Sequence, residues 1–302
     1  MKSLEIKLLA DEFKENLIID HDLKKKNWFN IGGKTKLFFK ADTLNDLTSF
    51  IKKINKEEKI FVLGAGSNTL FTDGGYDGVV IKLSKNFNNI SKLSDEVIIA
   101  GSSVTDKRLS EFAMENNLTG FEFLSCIPGT VGGGIKMNAG CFQKEFKDIV
   151  ISVQALNRDG QIITIPSSKI EFDYRKNNLS KDLIFLSASF KGTKGNKDDI
   201  KLLMKKYKFQ KESAQPTKIK TSGSTFKNPI NQTNKKVWEL IKESVSLDTS
   251  FGDAAISEKH CNFFINRGNA SFNEMKNLIK FVSKKVYENT GIKIETEIEI
   301  VE

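Results

Sequence analysis

The sequence predicts a mixed α and β chain of more than one domain. Three observations lead to that class. Short apolar runs of strand length alternate with segments of helical period, two of the apolar runs open directly into glycine-rich loops, and 302 residues suffice for two or three domains with a sizeable core.

Thr43 caps a helix whose apolar positions Leu44, Leu47, Phe50, Ile51 and Ile54 recur at helical spacing, and an apolar strand follows from Lys59 to Leu63. Val79 to Leu83 and Val97 to Ala100 read as short strands, and Thr105 to Asn117 as a capped helix with Leu109, Phe112 and Ala113 inward. Ile149 to Leu156 and Gln161 to Ile165 flank Asn157-Arg158-Asp159-Gly160, a hairpin signal. A further strand runs from Leu183 to Phe190. Gly192-Thr193-Lys194-Gly195-Asn196 then breaks the pattern, so the expected domains are 1–195, in two subdomains split near residue 85, and 196–302. The second domain opens with a helix from about Asp198 to Glu212 that ends before Pro216. A helix around Val237, Leu240 and Ile241, a strand from Cys261 to Asn266, and a helix from Phe272 to Asn289 follow; the last presents Met275, Leu278, Ile279, Val282 and Val286 on one face and is stopped by Gly291. The last strand, 292–301, alternates: Ile292, Ile294, Thr296, Ile298 and Ile300 face one way, and Lys293, Glu295, Glu297 and Glu299 the other. From spacing alone, the three carboxylates read as a solvated strand face.

The glycine loops carry the chemistry. Residues Pro128-Gly129-Thr130-Val131-Gly132-Gly133-Gly134-Ile135-Lys136-Met137-Asn138-Ala139-Gly140 hold five glycines in thirteen positions. Glycine at this density is costly to order, but it leaves a main chain able to aim successive N–H groups at an anion. A cofactor diphosphate fits such a chain; a glycine-rich surface loop is the alternative. The second loop, Gly64-Ala65-Gly66-Ser67-Asn68-Thr69-Leu70, begins like a dinucleotide fingerprint and departs from it at Thr69, where the third glycine would stand. Phe71-Thr72-Asp73-Gly74-Gly75 opens no amphipathic helix either. Two such loops, about sixty residues apart and each fed by an apolar strand, suggest one extended ligand held from two sides. In a third loop, Thr221-Ser222-Gly223-Ser224-Thr225-Phe226-Lys227-Asn228-Pro229, small hydroxyl residues surround a glycine; such groups can approach a polar ligand closely, and can equally form only a turn.

Net charge is +9, from 47 Lys and Arg against 38 Asp and Glu. The lysines are spread along the chain among acids, which reads as a solvated surface rather than a nucleic-acid footprint, although the field would help collect small anions. The N-terminus has no apolar signal core and no run approaches the roughly 18 residues of a membrane span, so a cytoplasmic protein without membrane insertion is expected. Cys126, Cys141 and Cys261 show no CxxC spacing and the only histidines are His21 and His260, so no metal site, disulfide framework or histidine-based triad is expected. No pattern speaks to oligomeric state.

Six motifs, in order, closely resemble the MurB family, the UDP-N-acetylenolpyruvoylglucosamine reductases: Asn27-Trp28-Phe29-Asn30-Ile31-Gly32-Gly33, Gly64 to Asn68, Pro128 to Gly140, Asp173-Tyr174-Arg175, Ser222 to Pro229, and Ser257-Glu258-Lys259-His260. The resemblance spans residues 27 to about 300. It implies an α+β fold with an FAD-binding domain of the vanillyl-alcohol-oxidase (PCMH) type followed by a substrate-binding domain. It implies a flavoenzyme of peptidoglycan precursor synthesis: NADPH reduces FAD, and reduced FAD passes hydride to the enolpyruvyl ether of UDP-N-acetylglucosamine, giving UDP-N-acetylmuramate. The family's FAD loops correspond to Gly64, Ala65, Gly66, Ser67 and Asn68 and to Pro128, Gly129, Thr130, Gly132, Gly133, Asn138, Ala139 and Gly140. Its catalytic positions fall on Arg175, Ser224 and Glu297, and Lys227 and Asn228 are candidates for contacts to the nucleotide sugar.

The chemistry explains those residue types. Negative charge develops as an enolate, which a guanidinium such as Arg175 can stabilise without losing its own proton. A buried, protonated Glu297 could add a hydrogen bond, and Ser224 would donate the quenching proton. Only the resemblance selects Glu297 over Glu295 and Glu299. The chain departs from the family at Trp28, where Thr is common, and over 243–255, which lacks several usual glycines; the short interval from Arg175 to Ser224 resembles the branch without an inserted tyrosine loop. Two other readings stand beside this one: a different flavin oxidoreductase on the same scaffold, and a basic nucleic-acid-binding protein. Many of the former tether flavin through a histidine near the glycine loops; this chain has none from residue 22 to 259, so FAD is expected to be non-covalent.

Overall fold

The computed structural model describes residues 3–216 and 219–302. The chain forms two compact units: one contains the described residues up to Ile19 with Leu37–Ala65 and Gly78–Lys211, the other Asp20–Lys36, Gly66–Asp77 and Glu212–Glu302. This division differs from the boundary expected after residue 195. Residues 192–196 are not a free linker, because Thr193–Lys194 pairs with Leu118–Thr119 and the Gly195 N–H donates to the Asn117 carbonyl. Most of the helix that follows, Lys197–Ala214, therefore belongs to the first unit, with Ile200 buried.

The first unit has two hydrophobic clusters. One gathers around the strands in the order Leu17–Asp22, Lys34–Ala41, Tyr76–Leu83, Ile60–Val62, with the last two parallel. The helix Leu44–Lys53 covers it through Leu47, Phe50 and Ile51, and the Phe50 ring stacks on Phe39 at 3.9 Å. Thr43 begins that helix as expected, in a capping box: the Asp46 N–H donates to Thr43 Oγ1 and the Thr43 N–H to the Asp46 carboxylate. The helix Ser3–Phe13 ahead of this sheet had no counterpart in the sequence reading.

The other cluster lies on a five-stranded sheet in the order Ile162–Pro166, Val150–Leu156, Ile184–Lys191, Val97–Gly101, Ile90–Lys92, with every pair antiparallel. The expected hairpin at Asn157–Gly160 is present, with Asn157 Oδ1 accepting from the N–H groups of Asp159 and Gln161. The glycine run is not all loop: Val131–Lys136 forms a short helix. Gly134 owes its identity to packing, since a Cβ there would lie 2.2 Å from the Phe146 ring.

In the second unit the antiparallel strands Ser250–Phe251, Ala254–Ile256 and Phe264–Asn266 share a core with the helices Val237–Ser244 and Phe272–Thr290. The long helix begins in a Ser271–Glu274 capping box and ends at Gly291 with φ 72°, as its sequence predicts. The last strand is shorter than expected, covering only Glu299–Val301, which pairs in parallel with Thr69–Phe71. Ahead of it the backbone is taken up by the serine loop: the Lys227 N–H donates to the Glu295 carbonyl, the Glu297 N–H to the Thr225 carbonyl, and Thr296 bridges Phe226. No helix among the described residues is long and apolar enough to cross a membrane.

Asp106 opens the helix Asp106–Glu115 behind its Thr105 cap. It is fully buried, and neither carboxyl oxygen has a hydrogen-bond partner among the described residues. Burial pushes its pKa well above the carboxylate range. The folded chain therefore keeps Asp106 neutral while the unfolded chain ionises it near pH 4, so its contribution to stability declines as pH rises from about 4 toward the raised folded value. Asp106→Asn should stabilise the protein more at pH 8 than at pH 4, measured by urea unfolding at both; an equal effect at the two pH values would mean that the carboxyl is ionised in the folded chain.

Candidate active site

The two glycine loops meet. In the first unit a cavity of about 300 Å³ is lined by Gly64 from one and by Thr130, Gly132 and Gly133 from the other. A Cβ at Gly64 would lie 2.9 Å from Thr130 Oγ1. Gly133 differs from Gly134: it is exposed, its φ is not left-handed, and the nearest atom to a built Cβ is Thr130 Oγ1 at 3.8 Å. No described residue outside its own helix crowds that position, whereas a ligand approaching the main chain would require a glycine. Gly66 is held by its own chain instead, with φ 69° and a Cβ position 2.2 Å from the Lys26 carbonyl oxygen, while its carbonyl accepts from the Trp28 N–H. Pro128 is exposed, and the Gly129 carbonyl accepts from the Asp106 N–H. Ser67 is half-buried beside Gly66.

The later part of the glycine run holds Arg175. Asn138 is fully buried with φ 41°; its amide donates to Glu145 Oε2 and to the Asp173 carbonyl, both at 3.0 Å, and its Oδ1 accepts from the Lys147 N–H. The Ala139 N–H donates to the Gly134 carbonyl and the Ala139 carbonyl accepts from Phe146. Arg175 Nη2 donates to the Gly140 carbonyl at 2.9 Å, Nη1 lies 3.6 Å from Glu145 Oε1, and the guanidinium sits 4.8 Å from the Tyr174 ring centroid. Its side chain is only 16 % exposed, and its backbone is left-handed at φ 58°, a conformation that a non-glycine residue adopts at a cost. Next to Gly140, the Cys141 thiol donates to the Phe123 carbonyl and is pushed up to about 12 by burial.

The second unit brings Ser224 and Glu297 onto neighbouring segments. Thr225 lies between them in sequence and bonding: its N–H donates to the Asn262 carbonyl, its Oγ1 accepts from Phe264, and its carbonyl accepts from the Glu297 N–H at 2.8 Å. The Asn262 side chain clasps both backbone groups of Phe226, and Ser224 bridges Phe263. Asn68 donates to the Glu297 carbonyl at 3.0 Å. The three acids are not equivalent: the Glu295 side chain is 80 % exposed and 3.8 Å from Lys227 Nζ, whereas Glu297 and Glu299 are half-buried. Asn228 Oδ1 accepts from the Val237 N–H at the start of a helix, so that oxygen serves the fold. No cluster of metal-binding side chains occurs among the described residues.

Sequence reasoning missed Glu145, which holds both Asn138 and Arg175, because no motif spacing marks it. It also missed Lys82 and Lys136 in the cavity lining, although a lysine inside the apolar strand Tyr76–Leu83 was a visible signal.

Residues 215–301 match the family described as UDP-N-acetylenolpyruvoylglucosamine reductase, C-terminal domain, and residues 35–166 match an FAD binding domain. The chain is 61 % identical over 297 residues to the UDP-N-acetylenolpyruvoylglucosamine reductase of Pelagibacter ubique (strain HTCC1062), covering 98 % of each. The chain belongs to the UDP-N-acetylenolpyruvoylglucosamine reductase family. The reductase of Rickettsia typhi (strain ATCC VR-144 / Wilmington) is 44 % identical over 96 % of both chains. Among solved structures, UDP-N-acetylenolpyruvylglucosamine reductase (MurB) from Thermus caldophilus superposes with a TM-score of 0.80 at 28 % identity, over 95 % of this chain and 98 % of that one. The fold is thus the expected one, a PCMH-type FAD-binding domain followed by the C-terminal domain of the reductase family.

Asn138→Ala removes three hydrogen bonds and leaves alanine in a left-handed conformation. The variant should lose about 2–4 kcal/mol of stability in urea unfolding; a loss below about 0.5 kcal/mol would show that the side chain does not tie the loop to the Arg175 hairpin.

Proposed function

We propose that the protein is an FAD-dependent reductase that uses NADPH to convert UDP-N-acetylglucosamine enolpyruvate to UDP-N-acetylmuramate. The observation that carries the reading is the meeting of both glycine loops on one lysine-bearing cavity, lined mostly by the segment that matches an FAD-binding domain. The lining fits such a group: Gly133 leaves its main chain open to close approach, and the buried Ser102 Oγ, in the lining, has no hydrogen-bond partner among the described residues. Gly64 to Asn68 and Pro128 to Gly140 would hold the cofactor without a covalent tether. Residues 1–195, in two subdomains split near residue 85, would bind FAD and 196–302 the substrate, with 20–36 and 66–77 grouping with 212–302 and 196–211 grouping with the first unit.

Bound FAD supplies the hydride, drawn from NADPH, that adds to the terminal carbon of the enolpyruvyl double bond. The chain's residues then act on the substrate. The Arg175 guanidinium is held in place by the Gly140 carbonyl and Glu145, so it stabilises the enolate charge with little reorganisation. Ser224 donates the proton to the carbon bearing the ether oxygen, which completes the reduction. Glu297, half-buried beside Thr225, adds a hydrogen bond to the developing charge, and Lys227 and Asn228 contact the nucleotide sugar. Because NADPH and a nucleotide sugar are the reactants, the cytoplasm is the proposed location. Surface lysines paired with acids, such as Lys235 with Glu243 and Lys284 with Glu288, favour a small-molecule role over nucleic-acid binding.

Purified protein should be yellow, release its flavin on acid precipitation, bleach anaerobically with NADPH, and regain colour when the enolpyruvyl substrate is added. Ser224→Ala should bleach at a near-normal rate while reoxidation by substrate slows by about 10²–10⁴-fold. Equal slowing of both halves would make Ser224 structural.

Glu297→Gln should slow reoxidation at least about tenfold, with Glu297→Ala slower still. Glu295→Gln, at the exposed neighbour, should match wild type in the same stopped-flow measurement. Parallel behaviour of the two glutamine variants would remove Glu297 from the chemistry.

A further inference from the structure

The cavity has a feature that the glycine motifs do not account for. Lys82, Lys85 and Lys136 all line it, and its lining contains no carboxylate. The lysines come from three different places: the end of the strand Tyr76–Leu83, the turn after it, and the last turn of the glycine helix Val131–Lys136. Three ammonium groups on one concave wall raise the local positive potential, which favours an anion in the cavity. Two of the lysines are held in place. Lys82 Nζ donates to the Gly64 carbonyl, and Lys136 Nζ lies 5.7 Å from the Phe61 ring centroid. The lining also carries Ser102, 5 % exposed, whose Oγ has no partner among the described residues, and an apolar wall of Leu63, Leu83, Leu183 and Phe185. Cations, a waiting hydroxyl and an apolar wall are the chemistry of a nucleoside diphosphate site.

We propose that Lys85 and Lys136, with the Ser102 hydroxyl, bind the diphosphate of FAD, and that Lys82 is a positioning residue that holds the Gly64 main chain toward it. The assignment rests on the FAD-dependent reading above and adds a side-chain clamp to the main-chain one. It makes cofactor retention electrostatic: a diphosphate held by ammonium groups at a solvent-accessible cavity is weakened by salt, whereas one held only by main-chain N–H groups and apolar walls responds far less.

The test follows FAD release from the holoenzyme by the rise in flavin fluorescence on dilution, across a KCl series. Wild-type affinity should fall as KCl rises. Lys136→Met and Lys85→Gln should each weaken FAD binding about tenfold and flatten the salt dependence, while Lys136→Arg should keep both near wild type. Lys85 is exposed, so its variant is expected to fold, and thermal unfolding of each variant checks that directly. Unchanged FAD affinity and salt response in Lys136→Met and Lys85→Gln, with the protein still yellow and reducible by NADPH, would overturn the lysine assignment and leave the reductase reading standing. A wild-type protein that binds no flavin would overturn both.

Discussion

The side chain of Asn138 is the constraint on which the FAD-binding unit's chemistry depends. A buried amide with both its donor and acceptor sides used ties three pieces of chain together: the end of the glycine run, the Glu145–Lys147 segment and the hairpin that carries Arg175. Arg175, Asn138, Phe142 and Gln143 all have positive φ without being glycine. Four such residues in one neighbourhood carry a conformational cost that persists only when surrounding contacts over-determine it, and the Asn138 network supplies those contacts. Glu145 then does double duty: one oxygen accepts from Asn138 and the other lies near the guanidinium, so one carboxylate sets both the loop and the arginine.

The second unit solves the same problem differently. No strained arginine is needed there; instead Thr225 and Asn262 use their side chains as surrogate backbone, bonding to the main chain of neighbouring segments where a regular ladder would otherwise run. This explains why residues 292–301, so cleanly alternating, make a regular strand only at their end. Ladder groups of residues 295–297 are consumed by the serine loop, and that exchange fixes Ser224 and Glu297 relative to each other within about one residue's reach.

Elements with local causes were legible in the sequence. The helices at Leu44–Lys53 and Phe272–Thr290 announce themselves through apolar period and capping residues, and the Asn157–Gly160 turn through its Asp-Gly pair. What depends on distant partners was not legible. The short helix Val131–Lys136 forms in a run whose glycines oppose helix, because Gly134 must admit the Phe146 ring. The grouping of 20–36 and 66–77 with the C-terminal residues arises from parallel pairing of Thr69–Phe71 with Glu299–Val301, over 220 residues away in the chain. Likewise the motif residues of the candidate site stood out as patterns, while Glu145 and the cavity lysines became visible only once the loops were placed.

Cys141 shows what burial beside Arg175 means for reagents. Its position next to the carbonyl that anchors Arg175 makes it an obvious handle for an electrophilic inhibitor. Burial pushes this thiol up to about 12, however, so little of it is thiolate at neutral pH, and the proton is engaged with the Phe123 carbonyl. Covalent warheads that rely on thiolate attack would therefore react slowly with this sulfur, and ligands for the neighbouring arginine would gain their affinity from reversible anion recognition.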